Sequence, residues 1–455
     1  MLPLLDIANT FTRIYFSKKD KVEELPRGMS DDYTILLTTY NKRDVITETL
    51  KKWERYRSKI LIVDDGSADG TYEHVKSLGC NALRLDKNTK RMGAILHGLN
   101  HITTGYTVLM DDDIWIDGME IFHTDPLGEA VFRLQNEGIE AVTGEILPVT
   151  NMKGNKTMQE LQYLDHIFGM RLGKRVMGHG NKKYVQTCGG FNIVKTGVLK
   201  RVTEEQIRAG PKFAGDDVER NLLIFKLFDG QVGYDDLLKI RAIGPANLAD
   251  FTKQRINWSK GALRISLTYP EFLKRWDKLG LVYNFNFWVD VVGHPIKLAA
   301  LVYLASHPEQ LPYLLAMFGS YIGLEYTTMK LILSDDEFKK NWKYGMIFPF
   351  YKFYEMIVPT TIGYISEIKR RIDEYRQNQP EKAVSNAQIL PQERETDKMT
   401  KILSKVPPVY LFPPYLPKGL PPYLHPNASL RETQEGLIRE ANCLERKRKI
   451  AGKSL

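Results

Sequence analysis

Two acidic clusters define the chemistry open to this chain. Asp111, Asp112 and Asp113 follow the apolar run VLM, and Asp64 and Asp65 follow ILIV. In an α/β protein an acidic run after an apolar one stands at the carboxyl end of a buried strand. Carboxylates crowded there repel one another, and a divalent cation held by one or two of them plus phosphate oxygens relieves the repulsion. A third pair, Asp216 and Asp217 in FAGDDVERN, opens the helical pattern DVERNLLIFKLF, where Asp also serves as a helix-start residue.

The elements that must position these groups are legible as alternating patterns. TILLTTY, KILIVDD, YTVLMDDD and EAVTGEIL read as buried strands, with helices such as RDVITETLKKWERY between them. That alternation predicts a parallel sheet with right-handed crossovers. From 151 to 270 the pattern loosens around the Gly-rich QTCGGFNIVKTGVLKRV. Three apolar stretches follow, Phe285 to Ala305, Leu311 to Leu333 and Gly345 to Ile365, each of the length of a bilayer-crossing helix. They carry Asp290, Lys297, Glu325, Lys330, Lys352 and Glu355, and a mid-membrane charge costs about 3 kcal/mol on insertion scales. Spanning and lying in the interface therefore both stay open. The expected organisation is an interfacial or packing helix over 1–30, an α/β domain over 31–270, a membrane-associated helical region of up to three spans over 271–370, and a charged, Pro-rich tail over 371–455.

The order of five islands, ILLTTYN, ILIVDDGSADGT, VLMDDDIW, FAGDDVERN and QRINW, resembles family 2 glycosyltransferases. Within them it is similar to the processive, membrane-bound branch of hyaluronan, chitin and cellulose synthases. The resemblance implies a GT-A fold, a Rossmann-like, mostly parallel sheet flanked by helices, followed by a helical membrane-associated region. It also implies a UDP-sugar donor, a Mg²⁺ or Mn²⁺ cofactor and a glycan acceptor.

Carried over position by position, Thr38, Tyr40, Asp64 and Asp65 fall where the family holds the uridine, although an Asp pair there also suits capping of the next helix. Arg91 in KRMGAILHGL matches a basic residue suited to the diphosphate. Asp113 matches the metal ligand, with Asp111 beside it on the nucleotide side and Asp112 turned to the opposite face by strand alternation. Asp217 matches the catalytic base, with Asp216 as its neighbour. Gly189, Gly190 and Phe191 correspond to the segment lining the acceptor sugar, and Gln254 and Trp258 to the outer residues of QxxRW. The Arg expected in that motif is Asn257 here, leaving Arg255 or Lys260 to supply its charge.

Composition bounds the rest. At 455 residues the chain exceeds the usual reach of one core, and its three cysteines, Cys80, Cys188 and Cys443, have neither disulfide-framework nor zinc spacing. A net charge of +9, with basic clusters at 174–183, 369–376 and 446–453, suits nucleotide-sugar phosphates, anionic lipid or nucleic acid alike; with the resemblance to glycosyltransferases, no nucleic acid partner is expected. The start MLPLLDIANTFTRIYF has no secretory signature. The expected location is a membrane with the catalytic domain and the run KRRIDEYR on the cytoplasmic side. Three readings stay open: a processive polysaccharide synthase, a single-addition transferase acting on a lipid- or protein-linked glycan, and a scaffold without activity.

Overall fold

The structure, a computed structural model, describes residues 28–117, 124–150, 153–178, 183–187, 189–210, 215–275 and 291–377. Most of the expected N-terminal helix, the tail beyond 377, Cys188 and the beginning of the first apolar stretch lie outside the described residues.

The chain opens as a βα alternation: β1 (Tyr33–Thr39), α1 (Arg43–Lys52), β2 (Ile60–Asp64), α2 (Thr71–Ser77), β3 (Asn81–Arg84), α3 (Lys90–Leu99) and β4 (Tyr106–Met110). Then come β5 (Ile114–Ile116), α4 (Pro126–Glu137), β6 (Ala141–Pro148), α5 (Lys156–Ile167), β7 (Phe191–Lys195), α6 (Thr196–Arg208), α7 (Asp216–Phe228), β8 (Val232–Ala242) and α8 (Leu248–Thr268). The strands form one sheet in the order β3-β2-β1-β4-β7-β6-β8-β5. Its first half is parallel, as predicted. The second half is mixed where the alternation predicts parallel pairing: β7 runs antiparallel to both β4 and β6, and β5 antiparallel to β8, while β6 and β8 pair in parallel.

Strand alternation divides the packing into two layers. Ile35, Leu37, Ile62, Val108 and Met110 face a core shared with Ile46 and Leu50 of α1 and Leu127 and Val131 of α4. Leu36, Leu61, Val63 and Leu109 face another, shared with α3, α6 and α7. Chain order reverses between β1 and β4, and the crevice outside their carboxyl ends is where an open α/β sheet binds ligands.

The remaining helices are α9 (Gly293–Ser306), α10 (Leu311–Ile332), α11 (Asp335–Glu355) and α12 (Thr361–Gln377). Among the described residues no helix is long and apolar enough to cross a membrane. Instead, Met329 and Leu333 and, from α11, Tyr344, Phe348 and Tyr351 share a core with Leu161 and Leu164 of α5 and Phe251 of α8. Charges within the last apolar stretch are paired inside the fold: Lys352 reaches Asp165 at 2.8 Å, and Glu355 meets Arg255 at 3.0 Å. The helical region up to Arg376 thus belongs to the same compact unit as the sheet.

Candidate active site

On the nucleotide side, two loops are tied together. Asn41, at φ 51°, donates its N–H to Ser67 Oγ at 2.8 Å, and its side-chain oxygen accepts from the Ala68 N–H at 2.9 Å. Gly66 makes the turn possible: its φ is +76°, and a Cβ there would meet the Lys87 carbonyl carbon at 2.9 Å. The acidic pair divides its work. Asp65 is occupied, accepting from the Thr89 N–H at 2.7 Å and the Thr89 hydroxyl at 2.8 Å. Buried Asp64 accepts from the Ser67 N–H at 3.1 Å through Oδ2, while its Oδ1 is buried with no hydrogen-bond partner. Neither caps α2, whose N-cap is Gly70. Tyr40 stands 45 % exposed just beyond β1, and Thr38, half-buried, pairs with Val63 in register.

The triplet Asp111–Asp113 is the connection from β4 to β5. Asp112 accepts from the Thr39 hydroxyl at 3.0 Å, while its carbonyl accepts from the Thr49 hydroxyl at 2.6 Å. Asp111 turns instead to Arg91, whose guanidinium donates to it. Asp113 has no side-chain hydrogen bond among the described residues, and burial, with Asp111 and Asp112 beside it, pushes its carboxyl up to about 7. Burial raises Asp111 and Asp112 as well. Three crowded carboxylates short of positive charge fit a divalent cation bound by one or two of them.

Arg91, at the start of α3, connects this cluster to the other half of the site. It donates to Asp216 at 2.7 Å and to the Gly189 carbonyl at 2.8 Å. Asp216 also accepts from Arg220 at 3.0 Å, one helical turn on. Burial pushes the Asp216 carboxyl up, but Arg91 and Arg220 outweigh it and hold it below the ordinary range. Asp217 moves the other way, raised by burial and by the charge of Asp216. Gly189 and Gly190 lie between the two acidic groups. A Cβ on Gly189 would stand 3.6 Å from Asp217 Cγ, and one on Gly190 3.8 Å from Asp111 Oδ2. Phe191 corrects the sequence reading. It begins β7 with its side chain fully buried in the sheet core, so it cannot face a sugar.

The start of α7 is set by Gly215. At φ +84° it admits no ordinary side chain, and α8 packs close against it: a Cβ would meet Ile265 Cδ1 at 2.6 Å and Gly261 Cα at 3.3 Å. The acidic pair therefore abuts the helix carrying QRINW. Trp258, 47 % exposed, lies one turn before Gly261, Gln254 is half-buried a turn earlier, and Asn257 is exposed. Arg255 does not supply the missing charge of the motif. It is buried, pairing with Asp165 at 2.7 Å and Glu355 at 3.0 Å, and its guanidinium lies 4.2 Å from the Trp258 ring centroid. Sequence reasoning missed Arg220, visible only as an i,i+4 partner of Asp216, and Thr89, whose role depends on a tertiary approach to Asp65.

Residues 34–202, spanning β1 to α6, match the family described as Glycosyl transferase family 2. The chain carries a family 2 glycosyltransferase domain. Solved structures similar to this transferase include a mannosyltransferase from Pyrobaculum calidifontis in complex with GDP-Man and Mn²⁺, 15% identical, with 78% of this chain and 99% of that chain covered and a TM-score of 0.49. S. aureus TarS 1–349 is 14% identical over 76% of this chain and 92% of that chain, with a TM-score of 0.37. Glucosyl-3-phosphoglycerate synthase from Mycobacterium tuberculosis, in complex with Mn²⁺, UDP-Glc and phosphoglyceric acid, is 14% identical over 53% and 80%, with a TM-score of 0.33.

Proposed function

We propose that this chain is an inverting glycosyltransferase that moves a sugar from a nucleoside diphosphate donor, a UDP-sugar first among them, onto a hydroxyl of a glycan acceptor. The observation carrying this reading is the position of Asp111 and Asp217 on either side of Gly189 and Gly190, with Arg91 held beside both.

Each group has a role its surroundings suit. Asp64 Oδ1, buried and unpartnered, is an acceptor for the imide N–H of the base, and the exposed Tyr40 ring offers it a stacking face. Asp113, with Asp111, would hold a Mg²⁺ or Mn²⁺ ion, which when bound supplies Lewis-acid stabilisation of the diphosphate charge. Arg91 adds a fixed guanidinium, already oriented by Asp216 and the Gly189 carbonyl. Asp217 takes the acceptor proton as the acceptor oxygen bonds to the anomeric carbon and the bond to the diphosphate breaks. Its raised carboxyl is the better base for that transfer.

A processive synthase would need the positive charge that QxxRW lacks here. Arg255 is committed to Asp165 and Glu355, which favours single or short additions over long-chain polymerisation. At the α9–α10 corner Val302, Tyr303, Tyr313 and Leu315 are more than half exposed, which supports a helical region resting on a membrane surface rather than crossing it. Flotation with anionic vesicles tests that part, and protein that stays unbound at low salt would remove it.

The transfer itself is tested by incubating the full chain with UDP- and GDP-sugars and oligosaccharide acceptors. Release of the nucleoside diphosphate should accompany a product lengthened by one or a few sugars, with inverted anomeric configuration by NMR. Retention of configuration would contradict the assignment of Asp217 as a base.

A further inference from the structure

A cavity of about 660 Å³ lies beside the carboxylate site, walled by α1, β5, α5, α11 and the end of β8. Its size falls within the roughly 300–1,000 Å³ typical of small-ligand sites. It shares a wall with the acidic triplet: Thr49, in its lining, donates to the Asp112 carbonyl at 2.6 Å, and Ile243, also in the lining, donates its N–H to the Asp113 carbonyl at 3.1 Å.

The lining narrows the class of occupant. Its cations are largely matched within the fold. Arg241 grips Asp117 through Nε at 2.8 Å and Nη2 at 2.6 Å, and Lys340 lies 3.6 Å from Glu160. Glu48, which pairs with Lys51 at 2.7 Å, adds a second carboxylate to the lining beside Asp117, so a phosphate entering here would meet carboxylates as well as cations. What the lining does offer is the half-buried Trp115 ring and the edge of buried Tyr163, beside the side chains of Glu48, Asp117 and Arg241. Aromatic faces for C–H surfaces and charged side chains for hydroxyls match an uncharged polyhydroxy ligand.

We propose that this cavity is a carbohydrate subsite that holds a saccharide unit of the acceptor away from the hydroxyl being extended. The proposal deepens the transferase reading above and rests on it for the ligand's role as an acceptor.

The test is titration of the full chain, without donor, with neutral tetrasaccharides of β-linked glucose, β-linked N-acetylglucosamine and α-linked mannose, followed by saturation-transfer NMR. Titration with UDP and GDP runs in parallel. At least one tetrasaccharide should bind with a millimolar or lower Kd. Trp115→Ala and Glu48→Ala should each weaken it by about tenfold while leaving nucleotide binding unchanged. Glu48 is exposed on α1, so its variant keeps the fold even if loss of Trp115 disturbs it. Tetrasaccharides that fail to bind a chain that does bind a nucleotide would overturn the subsite alone, as would binding unaffected by Glu48→Ala in a folded protein. Failure of both nucleotides while a tetrasaccharide binds and responds to the variants would count against the transferase reading and support the cavity as a carbohydrate site.

Discussion

Arg91 donates to Asp216 at 2.7 Å across 125 residues of sequence, and the same guanidinium reaches Asp111. One side chain therefore ties the triplet between β4 and β5 to the acidic start of α7. Removing it leaves two partly buried carboxylates without their shared partner and, in the proposed mechanism, takes a fixed positive charge from the diphosphate. Arg91→Ala is expected to lower kcat by roughly 100-fold, the scale for losing one preorganised charge-stabilising group, with a much smaller change in donor binding. Steady-state kinetics beside a UDP titration check this, and a kcat within about threefold of wild type would refute it.

Arg255 should behave differently. It is buried between Asp165 and Glu355, so Arg255→Ala leaves two largely buried carboxylates to share the single charge of Lys352 and should destabilise the protein by about 1–3 kcal/mol. Chemical denaturation measures the loss. Normal stability combined with a large fall in turnover would return Arg255 to the diphosphate.

The same network gives a pH dependence. Burial, and then the charge of Arg255, pushes His166 down from 6.5 to about 4, and its Nδ1 is buried with no hydrogen-bond partner. Between those values the unfolded chain binds the proton and the folded one does not. Stability from this group is therefore full above pH 6.5 and drains away as pH falls towards 4, by about 3 kcal/mol in all. Wild type should lose that much relative to His166→Gln between pH 7 and 4, as read from paired denaturation curves. A constant difference between the two proteins would show that His166 titrates normally.

Crowding at the triplet predicts a separation of stability from activity. Asp113→Asn removes one of three neighbouring carboxylates, so without divalent cation the variant should be at least as stable as wild type while transfer is abolished. Chelator should likewise stop wild-type transfer, and added Mn²⁺ or Mg²⁺ should restore it. Transfer at the normal rate in excess chelator would contradict a metal-assisted reaction.

Much of the site was legible because carboxylates after apolar runs mark strand ends, and β2 and β4 do end beside Asp64 and Asp111. The antiparallel insertion of β7 was not legible, since FNIVK is short, lies in a Gly-rich stretch and follows a helix, α5, as a parallel strand would. Phe191 was misread for the same reason: the strand's face, which decides between core and sugar, follows from its pairing with β4. Lys352 and Glu355 made α11 look like a compromised membrane span. Their partners Asp165 and Arg255 come from α5 and α8, and no local pattern announces such pairs. Arg255 itself lies close to Asn257 in sequence, yet on the helix it turns inward to those carboxylates.

The most direct test compares wild type with Asp217→Asn, measuring nucleoside diphosphate release and UDP affinity on the same folded preparations. Asp217 is half-buried beside Gly189 and carries the proposed proton transfer. The expected result is unchanged UDP affinity with transfer lowered by about 100- to 10,000-fold, the range for a positioned general base. Unchanged UDP affinity with unimpaired transfer would contradict the mechanism at its centre.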